Sequence, residues 1–178
     1  MLLYSPFVDG LLSHSGLLKK LRPSELSDPV AAILIREASE GVLTGGRAIA
    51  NETLFPLVRG ALLYAVDAID ESYRIAQQVG GDTGSYWCGM IDRRKGDFEN
   101  ARNWFRRVGS HPVFGELHRG AAAVSSNMAR QSNWDPYLVV GLCEQEKFGD
   151  EHHRKELIQL QRVEFDALLA YVWRKSLA

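Results

Sequence analysis

The stretch SYWCGMIDRRKGDFENARNWFRRVGSHPVF, residues 85–114, constrains the fold more than any other part of the chain. Within RRKGDFENA, three basic residues fill what reads as the last turn of a helix, where they oppose the negative end of its macrodipole. Gly96 supplies the left-handed residue that stops that helix, and Asp97 is placed to cap the next one, with Asn100 at the capping-box position. Two helices therefore fold back on each other about Gly96–Asp97. Neither arm of such a hairpin can bury its apolar face alone, so further helices must cover it.

The rest of the chain supplies them with the same punctuation. SDPVAAILIREASEG has Asp28 as an N-cap, Pro29 at the first helical position and Gly41 as a stop. PLVRGALLYAVDAIDESYRIAQQVGG reads as one long helix or two broken ones between Pro56 and Gly80. FGELHRGAAAVSSNMARQ carries Gly120 and three alanines, which suits close helix–helix contact, and NWDPYLVVGLCEQEKFG restarts at Asp135–Pro136. From Asp150 onward, Leu157, Leu160, Phe165, Leu168, Leu169 and Val172 share one stripe, with Arg174 and Lys175 at the negative end of the dipole. No alternating strand pattern occurs, and AILI is too short to argue for one. Residues 1–27 and 42–52 (VLTGGRAIANE) read as irregular. The expected fold class is all-α: a single domain over residues 1–178, a bundle of helix hairpins with a long C-terminal helix over 150–176.

Composition excludes several function classes. At 178 residues the chain is long enough to close one core. A net charge of −1 leaves no global field to draw the protein to nucleic acid or to an anionic membrane, so any anion site must come from local clustering. In MLLYSPFVDGLLSHSGLLKK the lysines follow the apolar residues, the wrong order for a secretory signal, and no apolar run is long enough to span a bilayer. A cytoplasmic address is the expectation. The two cysteines, Cys88 and Cys143, read as reduced thiols.

The hairpin at 85–108 resembles the second half of a tetratricopeptide or Sel1-like repeat, with Gly89, then GDFENA, then Phe105, and Pro112 near the stop. A weaker echo lies in AIDESYRIA, where Ile69 and Ser72 match Phe98 and Ala101; the resemblance covers residues 60–112. Val108 stands where a small residue is usual and Asp92 where an aromatic is. From GSYW to RRVG and HPVF, then through WDPY and QRVEFDALL, the chain also resembles an uncharacterised family of small proteins. Its members carry YWHxIMHRREGDFSNAKYWFRRVGxHPVF. Two histidines of that motif, one helical turn apart, are Cys88 and Asp92 here, and its glutamate is Lys95. The resemblance implies no particular activity, and a role needing those histidines does not transfer.

Winding residues 86–95 at about 100° per residue places Tyr86, Trp87, Met90 and Ile91 on one apolar stripe, with Arg94 near its middle. Over 98–108 the core face is Phe98, Ala101, Trp104, Phe105 and Val108, flanked by Arg102 and Arg107. Trp104 and Phe105 thus face inward, which removes the stacking platforms that single-stranded nucleic acid needs. For Arg94 two readings stand. Its stem packs on Trp87 while its head pairs with a core carboxylate, or its planar fork lines a cleft and holds a carboxylate or phosphate. In the second, the ligand-binding set is Arg94, Arg107, His111 and Trp87, with Asp97 and Asn100 ordering the corner.

Cys88 and Asp92 lie one turn apart, directed off the centre of the stripe, with His111 and His118 as further metal ligands; without fixed spacing or a second cysteine, no metal and no cofactor is expected. VGGDTGS before the Trp87 helix lacks the lysine and spacing of a P-loop and reads as a turn capped by Asp82, Thr83 or Ser85. Three functions remain open. One is a helical domain binding a small anionic ligand or a peptide carboxylate through an Arg-lined cleft. Another is a diverged hydrolase-like or metal-binding enzyme. The last is a structural scaffold with a protein partner, including a homodimer formed through the C-terminal helix.

Overall fold

A computed structural model describes residues 3–14, 16–146 and 151–178. The described residues form eleven helices: α1 (Pro6–Leu12), α2 (Pro29–Glu37), α3 (Glu40–Thr44), α4 (Pro56–Ala65), α5 (Ile69–Val79), α6 (Gly81–Lys95), α7 (Phe98–Val108), α8 (Phe114–Ala122), α9 (Ser126–Ala129), α10 (Pro136–Gln145) and α11 (Glu151–Ser176). The only β-type pairing among them is an isolated bridge between Ile49 and Leu177. The protein is an all-α helical bundle.

Side-chain caps set most of the helix starts. Asp28 accepts from the Ala31 amide at 2.8 Å and Asp135 from Tyr137 at 2.9 Å, each with proline opening the helix behind it. Ser5 and Pro6 do the same for α1, so a helix stands within the N-terminal part expected to be irregular. Gly41 is not a stop. α2 ends at Glu37, Ser39 caps α3 through the Val42 amide, and Gly45 in the left-handed region ends that helix. The Pro56–Gly80 stretch is two helices, broken where Asp67 takes a φ of 65°. Residue 150, expected to open the last helix, and residues 147–149 lie outside the described residues; α11 is described from Glu151.

α6 is the axis of the bundle. Every residue from Thr83 to Arg94 is buried, because α5 and α7 clasp it from two sides and α11 closes over the rest. Two glycines permit the clasp. A Cβ on Gly84 would lie 2.6 Å from the Ala76 carbonyl oxygen of α5, and one on Gly89 would lie 2.8 Å from the Phe105 ring of α7. Gly120 plays the same part between α8 and α11, where a Cβ would meet Val163 at 2.8 Å. α11 packs on α4, α8 and α10 and buries Leu157, Leu160, Phe165, Leu168, Leu169 and Val172, the expected stripe. That stripe is occupied within the chain.

Candidate functional site

The corner forms as its residues dictate. Gly96 has a φ of 82°, and its amide and that of Asp97 close the last turn of α6 onto Arg93 and Asp92 carbonyls. Asp97 accepts from the Asn100 amide at 3.1 Å and so caps α7. The Asn100 side chain does not return to Asp97; its Nδ2 donates to Asp92 Oδ2 at 2.6 Å.

Asp92 is the centre of a buried polar network. Tyr73 Oη donates to its Oδ2 at 3.3 Å, and Trp104 Nε1 donates to Tyr73 Oη at 3.1 Å. Burial pushes the Asp92 carboxyl above its ordinary range, and the Tyr73 hydrogen bond offsets part of that. The Arg107 guanidinium lies 4.5 Å over the Trp104 ring, which is only half-buried. Cys88 is fully enclosed, and burial together with the Asp92 charge pushes its thiol up to about 12. A thiol held protonated is a poor nucleophile. Cys88 and Asp92, expected off the centre of the apolar stripe and against a neighbouring element or solvent, are both buried, and Asp92 meets Tyr73 of α5 and Asn100 of α7. Among the described residues no group of three or more His, Cys, Asp or Glu converges as metal ligands.

Arg94 sits in the core, 1% exposed. Its Nη2 donates to Asp67 Oδ1 at 2.5 Å and to the Lys20 carbonyl at 3.0 Å, its Nη1 to the Tyr64 carbonyl at 3.1 Å. The guanidinium lies 4.6 Å from the Tyr64 ring, which in turn meets Trp87 edge-on at 5.6 Å. Of the two readings of Arg94, its surroundings are those of the closed pair.

The neighbouring Arg93, which sequence reasoning passed over, is equally enclosed and pairs end-on with Glu164 of α11. Tyr86 Oη donates to the same carboxylate at 3.0 Å and accepts from Trp134 Nε1 at 2.8 Å. Burial works against the Arg93 charge, but Glu164 outweighs it and holds the guanidinium protonated. A signal was present: Glu164 stands between Leu160 and Leu168 on the apolar stripe of α11, where only a paired charge is tolerated.

His111 forms a third, separate environment. Its Nδ1 accepts from the Val113 amide at 3.2 Å, which leaves the proton on Nε2 to be donated to Thr83 Oγ1 at 3.0 Å. Tyr171 packs against the ring at 4.8 Å. Burial lowers the imidazole pKa. Thr83 thus serves His111 rather than capping α6, whose first turn is GDTG itself. The six residues picked from sequence fall into four places: Arg94 and Trp87 about Tyr64; Asp97 and Asn100 at the α6–α7 corner; Arg107 in the last turn of α7, over Trp104; His111 on Thr83. No one cleft gathers them.

The exposed feature without a structural account lies on α2. Its inner face, Ala31, Ala32 and Ile35, is buried, yet its outer face carries Val30, Ile33 and Leu34 at 67%, 49% and 48% exposure. Between α1 and α2 runs a groove of about 420 Å³, with Leu11 and Ala31 at its floor and Phe7, Val30 and Leu34 on its walls. Gly10 also lines it, and nothing lies within 4 Å of a Cβ placed there. Asp28 and the exposed Glu37 bracket the stripe at its two ends, and His14 stands 3.6 Å from Asp28. The sequence signal was an apolar run, VAAILI, with no polar face. No family model, no curated protein and no solved structure matches the chain.

Proposed function

We propose that the protein is a non-enzymatic helical scaffold that docks an amphipathic helical segment of a protein partner on the α1–α2 face. The observation that carries this reading is the outward row Val30, Ile33 and Leu34 on a helix whose opposite face is already buried. By area, the exposed parts of these side chains amount to roughly 100–200 Å², against about 800 Å² per partner in a standard stable interface. That suits one helix lying in a groove better than a second globular copy. Charge points the same way. An antiparallel contact between two copies of α2 would set Asp28 of one against Glu37 of the other, a like-charge pairing. A partner helix with aliphatic residues at i, i+3, i+4 and i+7 and Lys or Arg at both ends meets the groove and both acids.

An anion site at Arg94 would require its pair with Asp67 to open. The closed guanidinium favours a structural part for that residue.

The test uses a synthetic helical peptide of that design and a second with glutamates in place of the lysines. The basic peptide should bind saturably and more weakly as salt rises, and Leu34→Glu should weaken it by about ten-fold or more. Leu34 is half-exposed, so the variant should keep its melting temperature. Equal binding of the acidic peptide would refute the charge argument. A concentration-dependent dimer abolished by Leu34→Glu would replace the partner helix with a second copy, and no peptide binding would remove the reading.

A further inference from the structure

On another face of the bundle, a cleft of about 340 Å³ is lined by Lys19, Lys20, Arg22, Arg154, Ile158 and the carboxylate of Glu146. Four cations surround one anion, in a protein whose whole net charge is −1. We propose that this cleft binds the phosphate group of a phosphate-bearing ligand.

The site is built from the inside. Glu146 closes the end of α10 and is only 4% exposed. Arg22 donates through Nη2 to its Oε2 and Arg154 through Nε to its Oε1, each at 2.5 Å. One buried carboxylate thus holds two guanidiniums that are 132 residues apart in sequence (154 less 22) side by side. Each spends one nitrogen on Glu146, so the remaining N–H groups of both forks are left for a second acceptor. The Arg154 and Arg22 hydrogen bonds hold the Glu146 carboxyl below its ordinary range, so it stays ionised and keeps both forks in place.

The backbone carrying the lysines is equally fixed. The Lys20 carbonyl accepts from Arg94 Nη2 at 3.0 Å and from Gln161 Nε2 at 3.2 Å, which pins residues 19–22 to the core. Lys20 also reaches the exposed Glu25 at 3.4 Å, so its charge is shared. Even with Lys20 set aside, Lys19 and the two arginines against Glu146 leave a surplus of positive charge.

A structural role for the triad would need only one arginine to neutralise Glu146. The second arginine and Lys19 are in excess, and excess planar donors beside a point charge are what a tetrahedral dianion satisfies. A monocarboxylate would engage one fork and leave the surplus. Among the described residues, the apolar side chains lining the cleft are Leu21 and Ile158, which give little for an acyl chain to enter.

The test uses the full chain at low ionic strength, with inorganic phosphate as the probe and acetate and chloride at matched ionic strength as controls. Phosphate should bind saturably and raise the melting temperature, with no comparable shift from acetate or chloride. Arg154→Gln should weaken phosphate binding by about ten-fold or more. Lys19→Gln, at an exposed position, should weaken it several-fold while leaving the unliganded melting temperature alone. Leu34→Glu should leave phosphate binding untouched, which separates this site from the α1–α2 groove.

Vesicles of phosphatidylcholine, with and without phosphatidic acid, distinguish the source. Retention only on those containing phosphatidic acid, lost in Arg154→Gln, supports the same site with a lipid headgroup as ligand. Phosphate binding unchanged in both Arg154→Gln and Lys19→Gln, or a shift matched by acetate, would overturn the proposal.

Discussion

Arg94→Met tests the energetic centre of the fold. Methionine keeps most of the stem volume, so little cavity is opened and the loss is chiefly electrostatic. What the substitution leaves behind is Asp67, whose side chain is 1% exposed. The carbonyl of Tyr64 keeps the Asp67 amide at 3.2 Å, and that of Lys20 keeps Gln161 Nε2, so neither backbone acceptor is fully orphaned. The largest cost is therefore that of one buried carboxylate left without its partner, about 3–5 kcal/mol. For a domain of this size that lowers the melting temperature by roughly 6–20 °C. Urea unfolding followed by circular dichroism at neutral pH reads it directly. The double variant Arg94→Met/Asp67→Asn isolates the pair, because asparagine removes the charge and tolerates the positive φ at that position. It should recover more than half of the loss, about 2–3 kcal/mol. A single variant less than about 1 kcal/mol below wild type, or a double variant no more stable than the single, would refute the reasoning.

Gly89→Ala sets a methyl 2.8 Å from the Phe105 ring at the tightest point of the α6–α7 clasp, and the overpacking should destabilise by about 1–3 kcal/mol in the same urea assay. His111 provides a pH dependence of known sign. Burial lowers its pKa in the folded state, so as pH falls below about 6.5 the unfolded chain takes up the proton first and stability is lost toward the folded-state pKa. The stability difference between wild type and His111→Gln should therefore shrink as pH is lowered through that window, and a difference flat from pH 8 to 5 would contradict it.

Much of the local structure was legible in short-range chemistry. Asp28–Pro29, Asp135–Pro136 and Gly96–Asp97 start and stop helices through contacts within five residues, and the α11 stripe follows from helical phase alone. The Ser5–Pro6 start of α1 carried the same signature. Phase also placed Arg94 within the apolar stripe, but it assumes that a helix has one buried side. From Thr83 to Arg94, α6 has no exposed side, and that depends on α5, α7 and α11 closing around it, with Gly84 and Gly89 allowing the approach. Hence Arg93, Cys88 and Asp92 are as buried as Arg94.

The carboxylates that make those charges tolerable come from 27 and 71 residues away, Asp67 for Arg94 and Glu164 for Arg93, and no periodicity reports such pairings. The same holds on the surface. Whether the outer face of α2 is covered, and whether Arg22 and Arg154 meet at Glu146, depends on how distant helices pack, because burial and ion pairing are properties of the neighbours that the fold brings together.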